Sequence, residues 1–223
     1  MLFLAVFCGF LAEYQLEHKI ERDRETTYIK SMIEDLKADT LSLSDHLVFR
    51  SDRRRRLDSL SYLLQQSDYN NHTSLIYFYA RWGARNPSFF LTDRTLSQLK
   101  NSGGMRLIRK VAASDAIVGY DAQIKFLSNQ YLGLEQEVVK DHFRRMESLF
   151  DGNVLDQMYG DTILIVPEGN PPLLTTDKKL INEFVSHLHF LKSLNSRNLF
   201  FEGNLKQQAA ATIEILKKEY RLK

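Results

Sequence analysis

His187 and His189 are the closest pair of histidines in the chain, and their spacing argues against joint chemistry. Two residues apart on a helix, they point about 200° from one another and cannot hold one metal ion together. Glu137 and His142 are five apart, which is not the spacing of a zinc-binding His-Glu-x-x-His helix. His18, His46 and His72 stand alone. The sequence carries neither a phosphate-binding glycine motif nor a Gly-x-Ser-x-Gly elbow. Its single cysteine, Cys8, sits among the apolar first residues, which excludes an intrachain disulfide and a cysteine-based zinc site further on. These residues predict no catalytic, cofactor-binding or metal-binding site, and a protein that is not an enzyme.

Charge offers two candidate surfaces. Thirty basic residues against 28 acidic ones leave a net +2, too little for a global drive toward nucleic acid. Arg53 to Arg56 form the most conspicuous run, but Asp52 and Asp58 flank it and four consecutive helical residues point all around the axis, as at a solvated helix start. A lipid role is disfavoured there: in a helix standing away from a bilayer the run lies roughly 50 Å from it, several screening lengths. The second surface is Lys100, Gly103, Gly104, Arg106, Arg109 and Lys110. Here a glycine pair precedes an expected helix start whose N–H groups favour anions, and three cations stand beside it. That predicts a small-anion or acidic-partner site. The alternative is a corner between helices, with Leu107 and Ile108 buried and the arginines paired to acidic neighbours.

The elements that would position these surfaces are helical. Met1 to Ala12 (MLFLAVFCGFLA) is uncharged. As a helix it would be roughly 18 Å long, against about 30 Å of bilayer hydrocarbon. It lacks the basic flank and small cleavage residues of a signal peptide, and Phe7 stands where a lipoprotein needs a small residue before Cys8. Two readings stay open: a spanning helix whose upstream half is missing from this chain, or a buried or interfacial helix. The prolines are Pro87, Pro167, Pro171 and Pro172, so long stretches are free to be helical. Ile29, Ile33, Leu36, Thr40, Leu43 and Leu47 form a heptad-like, coiled-coil stripe, predicting one helix to about Val48. Asp52 would cap a second helix to about Gln66, and Leu75 to Trp82 a third that ends before Asn86-Pro87. Thr92 or Asp93 would open a short helix closed by Ser102-Gly103-Gly104, with Met105 starting the next element.

A stripe of Ile117, Tyr120, Ile124, Leu127, Tyr131, Leu134 and Val138 predicts a helix from about Asp115 to Phe150, antiparallel to the first. Gly119 and Gly133 lie on one face of it, either as tolerated glycines or as points of close backbone approach. From Asp151 to Thr176 the pattern fails, and Ile163 to Val166 would be a strand without a partner, hence an ordered loop. Helices from Thr176 to about Leu191 and from Leu205 to Tyr220 would finish the chain, separated by Asn195 to Asn204.

The blocks GFLAEYQLEHKIERDRETTYIKSMIEDLKADT (Gly9 to Thr40) and RTLSQLKNSGGMRLIRK (Arg94 to Lys110) resemble a family of uncharacterised Bacteroidota-type single-span membrane proteins, a domain of unknown function. The match rests on Leu99, Lys100, Ser102, Gly103, Arg106, Leu107, Ile108 and Arg109. The resemblance implies a bacterial inner-membrane protein whose bundle faces the periplasm, whose apolar helix is longer, and whose native product begins upstream. It lends no activity.

The expected fold is all-α: an elongated antiparallel helical bundle whose N-terminal membrane helix is continuous with the first long helix. Residues 1–13 would be a partial membrane anchor and 14–223 a single bundle domain with an irregular loop near 151–176. Two functions are compatible with it. One is a non-enzymatic module that touches lipid through its N-terminal helix and binds an unknown protein or itself, with no cofactor and no nucleic acid. The other is an extracytoplasmic ligand-sensing domain.

Overall fold

The computed structural model describes residues 2–85, 91–129, 133–160 and 163–222. Among them are seven α-helices and no strand: α1 (Leu2–Leu63), α2 (Thr73–Gly83), α3 (Arg94–Asn101), α4 (Val111–Leu127), α5 (Gly133–Met146), α6 (Gly152–Gln157) and α7 (Lys178–Tyr220). The protein is all-helical, as its sparse prolines predict. Among the described residues no helix is long and apolar enough to cross a membrane. The turn expected at Asn86-Pro87 and Tyr131 of the long stripe lie outside the described residues.

Three expected boundaries move. The break between Val48 and Asp52 is absent, and α1 runs through it. Ser51 Oγ donates to the carbonyl of Leu47, and the Asp52 carboxylate accepts from Arg55 and Arg56 one turn on, so residues suited to capping are satisfied inside the helix. The break at Asn195 to Asn204 is absent too: α7 is one helix of 43 residues, and Asn195 and Asn198 are buried on it. The expected Asp115 to Phe150 helix is helical over α4 and α5, with a π-helical turn at Ser128 and Asn129, and gives way to turns after Met146.

The chain divides into two compact units, each with its own core. The first holds Met1–Leu43, Phe90–Lys125 and Asn204–Lys223. Ile29, Met32, Leu36 and Leu43 of α1 pack there with Leu96, Leu99, Ile117, Leu205, Ala209 and Leu216, all buried. Asp35 and Asp39, buried beside the α1 stripe, replace the side-chain cap that Asp93 does not supply. Asp35 accepts from the Thr95 amide at 2.9 Å and from Arg94 at 2.6 Å, while Asp39 accepts from the Thr92 amide at 2.6 Å. Tyr120 donates to Asp39 at 2.7 Å, and Arg109 just before α4 meets Glu21. Rising numbers on α4 thus follow rising numbers on α1. The two helices run parallel, not antiparallel as expected, because α2 and α3 intervene in the chain. The antiparallel neighbour of α1 is α7, whose Tyr220 donates to Glu25.

The second unit holds Ser44–Phe89 and Phe126–Gly203. Its core joins Leu57 and Leu60 of α1, and Leu64 just past its end, to Ile76, Tyr77 and Ala80 of α2, Val139 and Met146 of α5, and Ile181, Phe184, Leu188 and Leu191 of α7. Tyr77 donates to the Pro172 carbonyl at 3.0 Å and accepts from the Asp151 amide at 2.9 Å, which pins both ends of the proline-rich segment. Of its described apolar residues Met158 and Leu173 are buried and Leu164 packs against the core, whereas Ile163, Ile165, Val166 and Leu174, expected to pack there too, are exposed. The segment also contains α6, whose Asp151 cap accepts from the Asn153 amide, and one antiparallel bridge between Tyr159 and Leu164. Neither glycine of the long stripe marks a close backbone approach. A Cβ on Gly133 would meet nothing within 4 Å, and one on Gly119 only the Gln208 amide nitrogen at 3.2 Å.

Candidate functional site

The predicted anion surface lies in the first unit, and most of its cations are already engaged. Lys100 pairs with Asp121 at 2.9 Å, Arg109 with Glu21, and Lys110 with Glu219 at 3.8 Å and with its carbonyl. The Arg109 amide donates to Glu25 at 2.9 Å. Gly103 takes a left-handed φ of +66°, where glycine avoids the Cβ clash, and Gly104–Leu107 is a single 3-10 turn. The element expected from Met105 is that turn, and the next α-helix begins only at Val111, so the free helix N–H groups expected beside the glycines are not there. Of the two residues that the helix-corner alternative buries, Ile108 is buried and Leu107 half-buried, and of its two arginines Arg109 is paired. Gly103, Gly104 and Arg106 do line a pocket of about 600 Å³ against α1, together with Arg24, Tyr28 and Gln98.

A larger departure from the sequence reading lies in the second unit. Arg53 is fully buried and Arg56 lies 4.5 Å from the ring centre of Trp82, so the arginine run is not a solvated helix start. Arg50 and Arg53 of α1, Glu135 of α5, and Glu202 of α7 form a charge-balanced cluster that excludes solvent. Arg50 donates both terminal nitrogens to the two oxygens of Glu135 at 2.9 Å, and its Nε to Glu202 at 2.7 Å. Arg53 donates to Glu135 at 2.5 Å and to the Gly83 carbonyl at 3.0 Å. Asn198 donates to Glu135 at 2.8 Å, Asn195 to the Arg50 carbonyl at 2.9 Å, and His46 Nδ1 to Glu202 at 2.8 Å. Burial alone would raise the Glu135 carboxyl, but the hydrogen bonds and charge of Arg50, with Arg53, outweigh it and hold it at about 2. Four donors occupy that carboxylate, which leaves it no acid–base role.

Sequence reasoning missed this cluster because it followed apolar residues only. On α1, Leu43, His46, Arg50, Arg53, Leu57, Leu60 and Leu64 keep spacings of three and four without a gap. On α7, Leu188, Leu191, Asn195, Asn198, Glu202, Leu205 and Ala209 do the same. Both stripes carry their polar residues in the middle. The signal was the unbroken period, with opposite charges on the two helices.

A third place is the stack of His142 on His187, with ring centres 5.4 Å apart. His142 Nε2 donates to the Ala80 carbonyl at 2.9 Å, and burial holds this imidazole down at about 3, therefore neutral. His187 Nδ1 lies 3.2 Å from Asp141, and burial lowers it too, with Asp141 partly offsetting. His189 is exposed on the other side of α7, as its spacing predicts, and Glu137 pairs with Lys140 away from His142. His187 also edges a groove of about 600 Å³ between α5 and α7, floored by Leu134, Val138, Phe190 and Leu194. Among the described residues no three His, Cys, Asp or Glu side chains converge as metal ligands.

No family model matches the chain, and neither a curated protein nor a solved structure matches it.

Proposed function

We propose that the protein is a membrane-anchored helical module that binds a protein partner or assembles with itself, and performs no catalysis. The observation that carries this is the start of α1. Val6, Phe7, Phe10, Leu11 and Tyr14 are exposed along one face of the helix, Phe10 at 69%. An exposed face of large apolar side chains calls for an apolar surrounding. Burying a large apolar side chain contributes about 1.5–3 kcal/mol, so covering this segment is worth on the order of 10 kcal/mol. Lipid supplies that cover without requiring a particular packing partner. Further along, α1 turns amphipathic, and its buried stripe begins at Glu25 and Ile29. The test is alkaline carbonate extraction of the native gene product from its own membranes. Retention in the pellet is expected; release as a soluble protein overturns the anchor.

The side proposed for the two units is the periplasm, on the family resemblance. A reporter fused after Lys223 that is active only in the cytoplasm reverses it. The groove between α5 and α7 favours a second reading, a ligand-sensing domain, since its apolar floor and polar rim suit a small amphipathic molecule.

A further inference from the structure

We propose that the pocket beside Arg24 and Arg106 in the first unit binds the phosphate headgroup of an anionic phospholipid. This rests on the membrane-anchored reading and adds a lipid class to it.

Three observations converge. First, the pocket lies on the helix that carries the exposed apolar segment. Its nearest lining residue, Ile20, is eight residues beyond Ala12 on α1, roughly 12 Å along the axis. The headgroup layer and the reach of an arginine side chain together bridge that distance. The Arg53 to Arg56 run is too far along α1 for the same role.

Second, two guanidiniums that line the pocket are in no ion pair among the described residues, although two carboxylates line it as well. Among the described residues, Arg24 and Arg106 are in no ion pair, whereas Lys100, Arg109 and Lys110 each have one. Glu21 and Asp23 also line the pocket, and Arg109 takes up Glu21. A planar guanidinium suits two oxygens of a phosphodiester, and two guanidiniums around a space of about 600 Å³ leave room for a headgroup.

Third, this level of the unit is cationic. Contacts of Arg109 and Tyr220 with Glu21 and Glu25 bring the turn after Gly103 and the end of α7 alongside this part of α1. The stretches joined there, residues 17–25, 106–110 and 217–221, carry nine Lys and Arg against five Asp and Glu. Such an excess next to a bilayer attracts anionic lipid, by about a factor of five per cation near the surface.

The test is flotation of the full chain with vesicles of neutral phosphatidylcholine and with vesicles containing a third phosphatidylglycerol. The wild type should float with both and partition at least tenfold more strongly onto the anionic ones. Arg24→Gln with Arg106→Gln should reduce that preference to about twofold, and the matching lysine pair should keep most of it. Arg55→Gln, an exposed change elsewhere on α1, should leave it unaltered. Melting curves of each variant confirm that the fold is intact. Equal flotation of wild type and the glutamine pair on anionic vesicles overturns the headgroup site but leaves the anchor standing. Failure to float with either vesicle overturns the anchor itself. Loss of the anionic preference in millimolar inorganic phosphate at constant ionic strength assigns the pocket to free phosphate and overturns the lipid proposal.

Discussion

Arg50 and Glu135 meet through two parallel hydrogen bonds of 2.9 Å, 85 residues apart in the chain and each about 1% exposed. The fork-to-fork geometry fixes α5 against α1 in one rotation and one register, because a guanidinium and a carboxylate match only when coplanar. Glu202 engages the remaining edge of Arg50 and so adds α7 to the same layer. A buried pair of this kind adds little net stability over a well-packed apolar layer, yet removing one partner leaves an uncompensated charge.

Glu135→Gln should therefore destabilise the second unit by about 3–5 kcal/mol, because Arg50 and Arg53 lose their shared counter-charge in a buried site. Glu137→Gln, two residues away but exposed and paired only with Lys140, should stay within about 0.5 kcal/mol. Urea unfolding of both variants checks the contrast. Equal effects would mean that the layer is hydrated.

Acid should weaken the second unit in two windows. His142 is held at about 3, below its ordinary 6.5, so between those values the unfolded chain binds a proton that the folded one refuses. Its contribution is full above pH 6.5 and is lost as pH falls toward 3, at most about 1.4 kcal/mol per pH unit. His187 acts in the same direction. Glu135, held at about 2 against 4.5, contributes stability above pH 4.5 that is lost as pH falls toward 2. Chemical denaturation at pH 7.5, 6 and 5 should show the first window, and His142→Leu should flatten the slope there whatever it does to absolute stability.

How much of this was visible in the sequence depended on which residues were allowed onto a stripe. Ile29, Ile33, Leu36 and Leu43 are buried as their spacing demands, and so are Ile117, Tyr120 and Leu127, whereas Ile124 and Val138 of the second stripe are half-buried and Leu134 is exposed. The helix ends that failed, at Val48 and at Asn195, failed for one reason: polar residues on the inner face were read as interruptions. His46, Arg50, Arg53, Asn195, Asn198 and Glu202 complement each other across helices, and that pairing is a tertiary property no single window contains. The glycine turn at Gly103 was legible, but the acidic partners that Arg109 and Lys110 find around it, Glu21, Glu25 and Glu219, are 84 to 109 residues distant in the chain. Chain direction was likewise invisible, since parallel and antiparallel neighbours produce the same periodicity.

Gly83 is the glycine of the second unit at which an added Cβ would meet its neighbour most closely. A Cβ there would lie 2.6 Å from Leu57 Cδ2, and Leu57 is fully buried. Gly83→Ala should cost about 1–3 kcal/mol through overpacking, although alanine is the better helix former. The double change Gly83→Ala with Leu57→Val should recover part of it. Thermal melts of the three proteins test this, and a stabilised Gly83→Ala would show that Leu57 has another rotamer to occupy.

Glu25 holds the first unit together at the level of the glycine turn. Its carboxylate is 6% exposed and accepts from the Arg109 amide and from the Tyr220 hydroxyl, joining α1, the segment before α4 and the end of α7. Burial, followed by the hydrogen bond to Glu25, pushes the Tyr220 hydroxyl up, so it remains a donor well into alkali. Tyr220→Phe removes one donor from a carboxylate that keeps the other and should cost about 0.5–1.5 kcal/mol. Glu25→Ala strands a partly buried backbone N–H and the tyrosine together and should cost more, about 2–3 kcal/mol. Arg109→Gln, which removes only the exposed pair with Glu21, should cost less than about 1 kcal/mol. Hydrogen exchange of the Arg109 amide gives a local reading: it should speed up in Glu25→Ala and stay protected in Arg109→Gln. Exchange that is fast in the wild type would show that Glu25 does not hold this corner in solution.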